Sequence, residues 1–358
     1  MVYQVLLMYI SPTRLLLLLI CFNCLPLHAN TSPDLPNVRV GVLKYGTVNW
    51  EIEVIKHYQL DKKHNFDLQV MPLSNKNASA VALQSNAVDI ILGDWLWVNR
   101  QRFNGKSYTL VPTSIATGGL YIKNNSSIKS LTDLTQSKIG VAGGSVDKNW
   151  LLLQAYAQKK HQLNIKDTSE IVFATPPLLN RLMLRNDVDA AINFWHYNAR
   201  LSANGFSLLV GLPQMLKEFG INNNVPLLGW VFDQNWAIEK QSLLTAFLKA
   251  SKEAKQLLLL CDEEWQRIRR LTKAENEAVF TALKDEYRRR ALHRFTADEI
   301  KASEQVFAIL AQQGGRNLVG KATTLAKETF WQTNKVNLPS STKVAKDFIN
   351  AQVTCPVK

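Results

Sequence analysis

Three short stretches carry side chains that could hold a ligand. Lys44-Tyr45-Gly46-Thr47 leads into Asn49-Trp50, Asp94-Trp95-Leu96-Trp97 sets a carboxylate beside two indoles, and Gly143-Gly144-Ser145 runs into Asp147-Lys148-Asn149-Trp150. A phenol or an indole stacks on flat or cationic groups, and a carboxylate accepts a hydrogen bond or balances a cation. Paired glycines free backbone N–H groups to face an anion where a helix starts. These are means of holding a molecule. Means of transforming one are scarce: no GxSxG elbow surrounds Ser145, so Ser145, Asp147 and His196 do not make a triad by sequence, and neither GxxxxGK[ST] nor GxGxxG occurs. There is no HExxH, and beyond the leader described below no zinc-spaced cysteine pair or cluster of His ligands. The expectation is a binding protein with no catalytic residue, no cofactor and no metal.

The elements that must position these residues alternate β-branched runs with helical segments, the pattern of parallel strands joined by crossover helices. Strands are predicted at 38–44, 66–73, 88–94, 108–114, 119–123, 138–142, 170–175, 188–194, 206–211 and 227–233. Part of this pattern is written twice. Val88–Gly105 aligns without a gap on Val188–Gly205, matching Asp89 with Asp189, Trp95 with Trp195, Arg100 with Arg200 and Gly105 with Gly205. Gly41-Val42 leads to Asn49-Trp50 as Gly140-Val141 leads to Asn149-Trp150. Two similar α/β lobes follow from this reading, with ligand bound beyond the carboxyl ends of their strands. Facing lobes bring Trp50 and Trp95 toward Trp150 and Trp195 across a cleft, with Tyr45, Asp94, Gly143, Gly144 and Ser145 at its edges and His196 as a polar neighbour of Trp195. Trp97 is assigned to packing. Thr113-Ser114 and Thr117-Gly118-Gly119 fall where the chain crosses between lobes.

Composition narrows the function. The chain has 358 residues, 46% hydrophobic and 20% charged, which excludes disorder and leaves room for two cores. A formal net charge of +13 invites nucleic acid or anionic membrane as partner. The basic run Arg288-Arg289-Arg290 lacks interleaved aromatics and reads as a solvated helix end, so no nucleic-acid role is expected. From residue 235 onward the pattern is helical, with Leu243, Leu244, Phe247 and Leu248 as a core-facing stripe.

At the start, Leu15–Phe22 is an apolar run of signal-peptide length, followed by Pro26 and Leu27-His28-Ala29. A cleavable signal peptide over 1–29 is expected, with Met8 as an alternative start. Cleavage removes Cys21 and Cys24. Cys261 and Cys355 remain, either as a disulfide in an oxidising compartment or as one buried and one tail thiol.

The order of exported leader, KYGTVNW turn, VALQSNAVDIILGDW, SLTDLTQSKIGVAGGS and VDAAINFW resembles the periplasmic solute-binding proteins of ABC importers, in the nitrate, sulfonate, taurine and thiamine-precursor class. The likeness covers most of residues 38 to 235. It implies a hinged two-lobed periplasmic binding protein fold with a helical C-terminal segment, in which residues 38–118 plus 225–358 form lobe one and 119–224 form lobe two. It also implies a monomer in the periplasm that closes on a small organic solute and docks on an ABC permease with its ATPase subunit. By position, Tyr45, Asp94, Trp95, the stretch Thr117-Gly118-Gly119, Ser145 and Trp195 match places where the family contacts its ligand. The tryptophans depart from simple oxyanion binders and favour a solute with a flat or cationic portion. Two alternatives share the fold. A thiamine-pyrimidine-synthase-like enzyme needs a cysteine-rich iron motif that Cys261 and Cys355 do not supply, and a periplasmic ligand sensor reads the same in sequence.

Overall fold

The computed structural model describes residues 35–115, 118–292, 295–331 and 355. The expected leader, its cleavage point after Ala29, the start at Met8 and the site candidate Thr117 lie outside the described residues.

All ten predicted strands form: β1 (Asn37–Leu43), β2 (Asp67–Leu73), β3 (Ile90–Asp94), β4 (Tyr108–Ile115), β5 (Gly119–Lys123), β6 (Lys138–Ala142), β7 (Glu170–Ala174), β8 (Ala190–Ile192), β9 (Phe206–Gly211) and β10 (Pro226–Asp233). They sort into two five-stranded sheets, ordered β2-β1-β3-β10-β4 and β7-β6-β8-β5-β9. The expectation of parallel strands is corrected at one strand in each sheet. β10 runs antiparallel to β3 and β4, and β5 antiparallel to β8 and β9. In each case the inserted strand begins beside the carboxyl ends of its neighbours, Gly119 against Gly211 and Leu228 against Asp94. A strand that starts where its neighbours finish has to run against them.

The duplicated residues have duplicated jobs. Asp89 accepts the backbone N–H of Arg39 at 2.8 Å, and Asp189 accepts that of Lys138 at 2.8 Å. Each aspartate also donates its own N–H back to the same residue, at 2.8 and 2.9 Å, so the carboxylates lock the third strand of each half to the first. Gly105 and Gly205 follow the next helices at φ 80° and 83°, a left-handed exit in which a Cβ is strained.

Two apolar clusters dominate the packing. One joins β1 and its helix Val48–His57 to Gln241–Leu260, whose Leu244, Phe247 and Leu248 are buried and whose Leu243 is partly buried, as the stripe predicts. The other runs through Trp95, Trp150 and the long helix Ala297–Val319, which packs on both Trp95–Phe103 and Lys148–His161. The C-terminal helices therefore touch both halves of the duplicated chain. Helix Glu277–Arg289 does so too, lying against Trp195–Ser202. Cys261 and Cys355 form a disulfide, 94 residues apart in sequence, which resolves the alternatives the sequence leaves open. No described helix is long and apolar enough to cross a membrane.

Candidate functional site

The carboxyl edges of the two sheets meet through side chains from helix starts. Asp94 ends β3 and caps helix Trp95–Phe103, accepting the N–H of Trp97 at 3.0 Å. Its other oxygen pairs with Lys148 Nζ at 3.3 Å, from the first turn of the helix after β6. Burial pushes the Asp94 carboxyl up, but Lys148, Lys76 and the Trp97 N–H together outweigh it and hold the group below its ordinary value. Asp147 caps the Lys148–His161 helix through the N–H groups of Asn149 and Trp150. There burial prevails over the same two lysines, and the carboxyl is raised. Lys76 Nζ lies 5.8 Å from the ring centre of Phe194, which begins the helix after β8.

A second set of contacts surrounds Trp195. Its indole meets that of Trp50 edge to face at 5.9 Å, and the Arg290 guanidinium lies 4.8 Å from its ring centre. Beside them, at the carboxyl edge of the first sheet, is a cavity of about 50 Å³ lined by Thr47, Val48, Glu51, Leu92, Thr113, Ser114, Leu228, Lys255, Leu259, Tyr287, Arg290 and Ala291. Inside it Glu51 accepts from Tyr287 Oη at 2.8 Å and pairs with Lys255 at 3.4 Å, and Lys255 also donates to the carbonyl of Thr113 at 2.6 Å. Burial, then Glu51, keeps the Tyr287 phenol protonated well beyond its ordinary range.

The residues named from sequence divide into three groups. Asp94, Trp195 and His196 stand at the junction of the two halves, His196 half-buried with its ring 5.5 Å from that of Trp195. Burial, then Arg200 and Arg290, lowers the imidazole pKa to about 3, and Nδ1 has no hydrogen-bond partner among the described residues. Tyr45, Gly143 and Ser145 are exposed and Gly144 half-buried, on the turns after β1 and β6. Lys273 and Lys44 approach the Tyr45 ring to 4.8 and 5.5 Å. Gly143 and Gly144 take φ 90° and 83°, as a paired-glycine turn requires, and Gly118 at φ 120° lies against the Asn149 amide. Trp95, finally, is only 1% exposed, and its indole donates to the carbonyl of Pro226 at 2.8 Å.

The expected tryptophan-lined cleft is thus largely internal. Trp50, Trp95 and Trp150 are core residues, because side chains in a first helical turn lean back toward the sheet that precedes them. Among these four, Trp195 alone is only partly buried. Trp97 packs as expected, stacked on Tyr108 at 5.4 Å.

Two five-stranded sheets of matching order, joined by paired crossings, decide the architecture. The fold is that of the periplasmic solute-binding proteins. The aliphatic sulphonate binding protein SsuA of Escherichia coli superposes with TM-score 0.65 at 18% identity, over 83% of this chain and 98% of that one. The alkanesulfonate-binding SsuA of Xanthomonas axonopodis pv. citri, bound to MOPS, gives 0.62 at 14% identity over 83% and 99%. An enzyme shares the shape as well: the desulfurization enzyme DszB superposes with TM-score 0.54 at 13% identity over 88% and 99%. No family model matches the sequence, and no curated relative does.

Within this binding-protein fold, the residues that sequence reasoning missed are Glu51, Lys255, Tyr287 and Arg290. The reading of Arg288-Arg289-Arg290 as a solvated helix end is corrected for Arg290, which is 5% exposed, while Arg289 is open to solvent and paired with Glu286. Arg290 follows the last turn of its helix, where the chain pairs with β4: Ile115 donates to the Arg290 carbonyl at 3.1 Å, and Ser114 bridges Ala291. That backbone pairing draws the side chain inward.

Proposed function

We propose that the protein is an exported solute-binding component of an ABC-type importer, a periplasmic monomer that captures a small organic solute between its two halves and presents it to a membrane permease and its ATPase subunit. The observation carrying this reading is the meeting of two like sheets at their carboxyl edges through Lys148–Asp94 and Trp50–Trp195. Open α/β sheets bind ligands at that edge. The solved proteins of the same fold that are described as sulfonate-binding lend further support.

In this reading residues 38–118 with 225 onward act as lobe one and 119–224 as lobe two. Tyr45, Asp94, Gly118, Gly143, Gly144, Ser145, Trp195 and His196 border the solute, whereas Trp95 supports them from the core. A cavity of about 50 Å³ has room for roughly one or two waters, far below the ~300 Å³ of an ordinary ligand site, so in this reading the halves part to admit solute. Ligand contact with both halves then shifts the population between open and closed forms. Native mass spectrometry of the protein purified from its host tests the reading. A bound small molecule, released on denaturation, is the expected result. Bare protein, together with an unchanged radius of gyration across a library of organic solutes, overturns it.

A further inference from the structure

At one of the two places where the halves meet, the helix starts carry opposite charges. Asp94, the cap of helix Trp95–Phe103, and Lys148, in the first turn of Lys148–His161, pair at 3.3 Å with side chains only 15% and 22% exposed. The duplicated design does not call for this pair. In the repeat Lys148 aligns with Val48 and Asp94 with Phe194, so the matching positions of the other junction are apolar, and there Trp50 and Trp195 meet instead. Local structure does not call for it either, since a cation in a first helical turn opposes the helix dipole. Two further charges stand nearby. The Asp147 carboxylate is committed to the N–H groups of Asn149 and Trp150, and Lys76 is exposed and lies toward Phe194. Another ion pair, Arg200–Glu275, ties the second half to the C-terminal helices, but Glu275 is 60% exposed and a surface pair of that kind contributes little.

We infer that Asp94–Lys148 is a charge-matched catch between the halves: they close on one another only while both charges are present, and disturbing one charge sets them apart. The inference rests on the solute-binding reading and adds a control on its motion. For a buried ion pair the cost of leaving water roughly cancels the attraction, so the pair does little for stability as a whole. It selects one arrangement nonetheless. Either charge left alone at this place is unfavourable, whereas halves that have parted return it to water. Removing both charges removes the penalty as well, and the apolar contact of Trp50 with Trp195 remains to hold the halves.

Small-angle X-ray scattering of the full chain after leader removal, with no solute added, compares the wild type with Asp94→Asn, Lys148→Met and the double variant. Asparagine keeps the helix cap and methionine keeps an unbranched side chain, so charge is what changes. Each single variant is expected to show a larger radius of gyration, with the open population raised on the order of tenfold. The double variant is expected to lie nearer the wild type than either single one, a non-additivity that general loosening of the fold does not produce. An unchanged radius in either single variant, or an expansion of the double variant equal to or beyond that of the singles, overturns the inference. Loss of cooperative unfolding in a single variant does so too, because the pair then belongs to the fold and not to its motion. A bound solute found by native mass spectrometry beside single variants that do not expand sinks the catch and leaves solute binding intact; bare protein whose radius no organic solute changes sinks the broader reading.

Discussion

The indole of Trp50 meets that of Trp195 edge to face with ring centres 5.9 Å apart, and the two belong to helices that follow strands of different sheets. Trp195 also carries Arg290 on its ring at 4.8 Å and lies 6.4 Å from the ring of Tyr287. One residue therefore gathers both halves and the C-terminal helices. Trp195→Ala is expected to destabilise the protein by about 1–3 kcal/mol, less than for a fully buried tryptophan because part of the ring is open. Urea unfolding followed by circular dichroism reads this directly, and a change within 0.5 kcal/mol (roughly the spread of inert surface substitutions) denies the contact its role.

Asp89 and Asp189 should differ in weight. Both accept a backbone N–H, but Asp89 additionally holds the Arg39 guanidinium at 2.6 and 3.1 Å, while the equivalent Lys138 side chain turns to Glu170 at 3.2 Å. Asp89→Ala leaves a part-buried strand N–H without its acceptor, at about 1–3 kcal/mol, whereas the Lys138 N–H is exposed and water can take the place of Asp189. Asp89→Ala is expected at the upper end and Asp189→Ala at the lower. Equal denaturation midpoints for the two variants refute this ranking.

Closing a loop between residues 94 apart gives the Cys261–Cys355 disulfide a large effect on the unfolded chain, ~4–5 kcal/mol in the loop-entropy model and about 2–5 kcal/mol for typical native bonds. Cys261 itself is buried in the cluster that holds Trp265 and Phe280. Adding reductant to the wild-type protein is expected to lower its unfolding midpoint, and Cys355→Ser should show the lowered midpoint with or without reductant. A mutant as stable as the oxidised wild type contradicts this.

His196 makes stability depend on pH in a defined window. Its folded-state pKa of about 3 lies below the ordinary 6.5, so the unfolded chain takes up the proton first as pH falls. The contribution of the neutral ring is complete above pH 6.5 and is lost progressively down to about pH 3. Its size is on the order of a few kcal/mol, reduced by whatever relaxation lets water reach the ring. The comparison is with His196→Gln, in which other titrating groups such as Asp94 and Asp147 remain. Unfolding free energy should fall more steeply in the wild type than in the variant between pH 6.5 and 4, and parallel curves dispose of the claim.

Much of this architecture was legible from the sequence because it is local or periodic. Near-continuous β-branched and apolar runs mark strands whose two faces are both covered, and the left-handed exits at Gly105 and Gly205 leave a trace in residue type. The paired aspartates could be matched across the repeat because the same strand-locking bond recurs in each half. Which way a first-turn tryptophan faces is not local. Trp95 and Trp195 occupy matching positions, yet one is sealed by the carbonyl of Pro226 on the inserted strand β10 and the other stays partly open beneath Arg290. Burial of Arg290 likewise depends on its helix seating against the second half of the chain and on the return pairing with β4. The sequence determined the two sheets and their shared design; the tertiary structure alone decided which indole is core, which is boundary, and which arginine is left facing a cavity, since those outcomes depend on contacts between segments far apart in the chain.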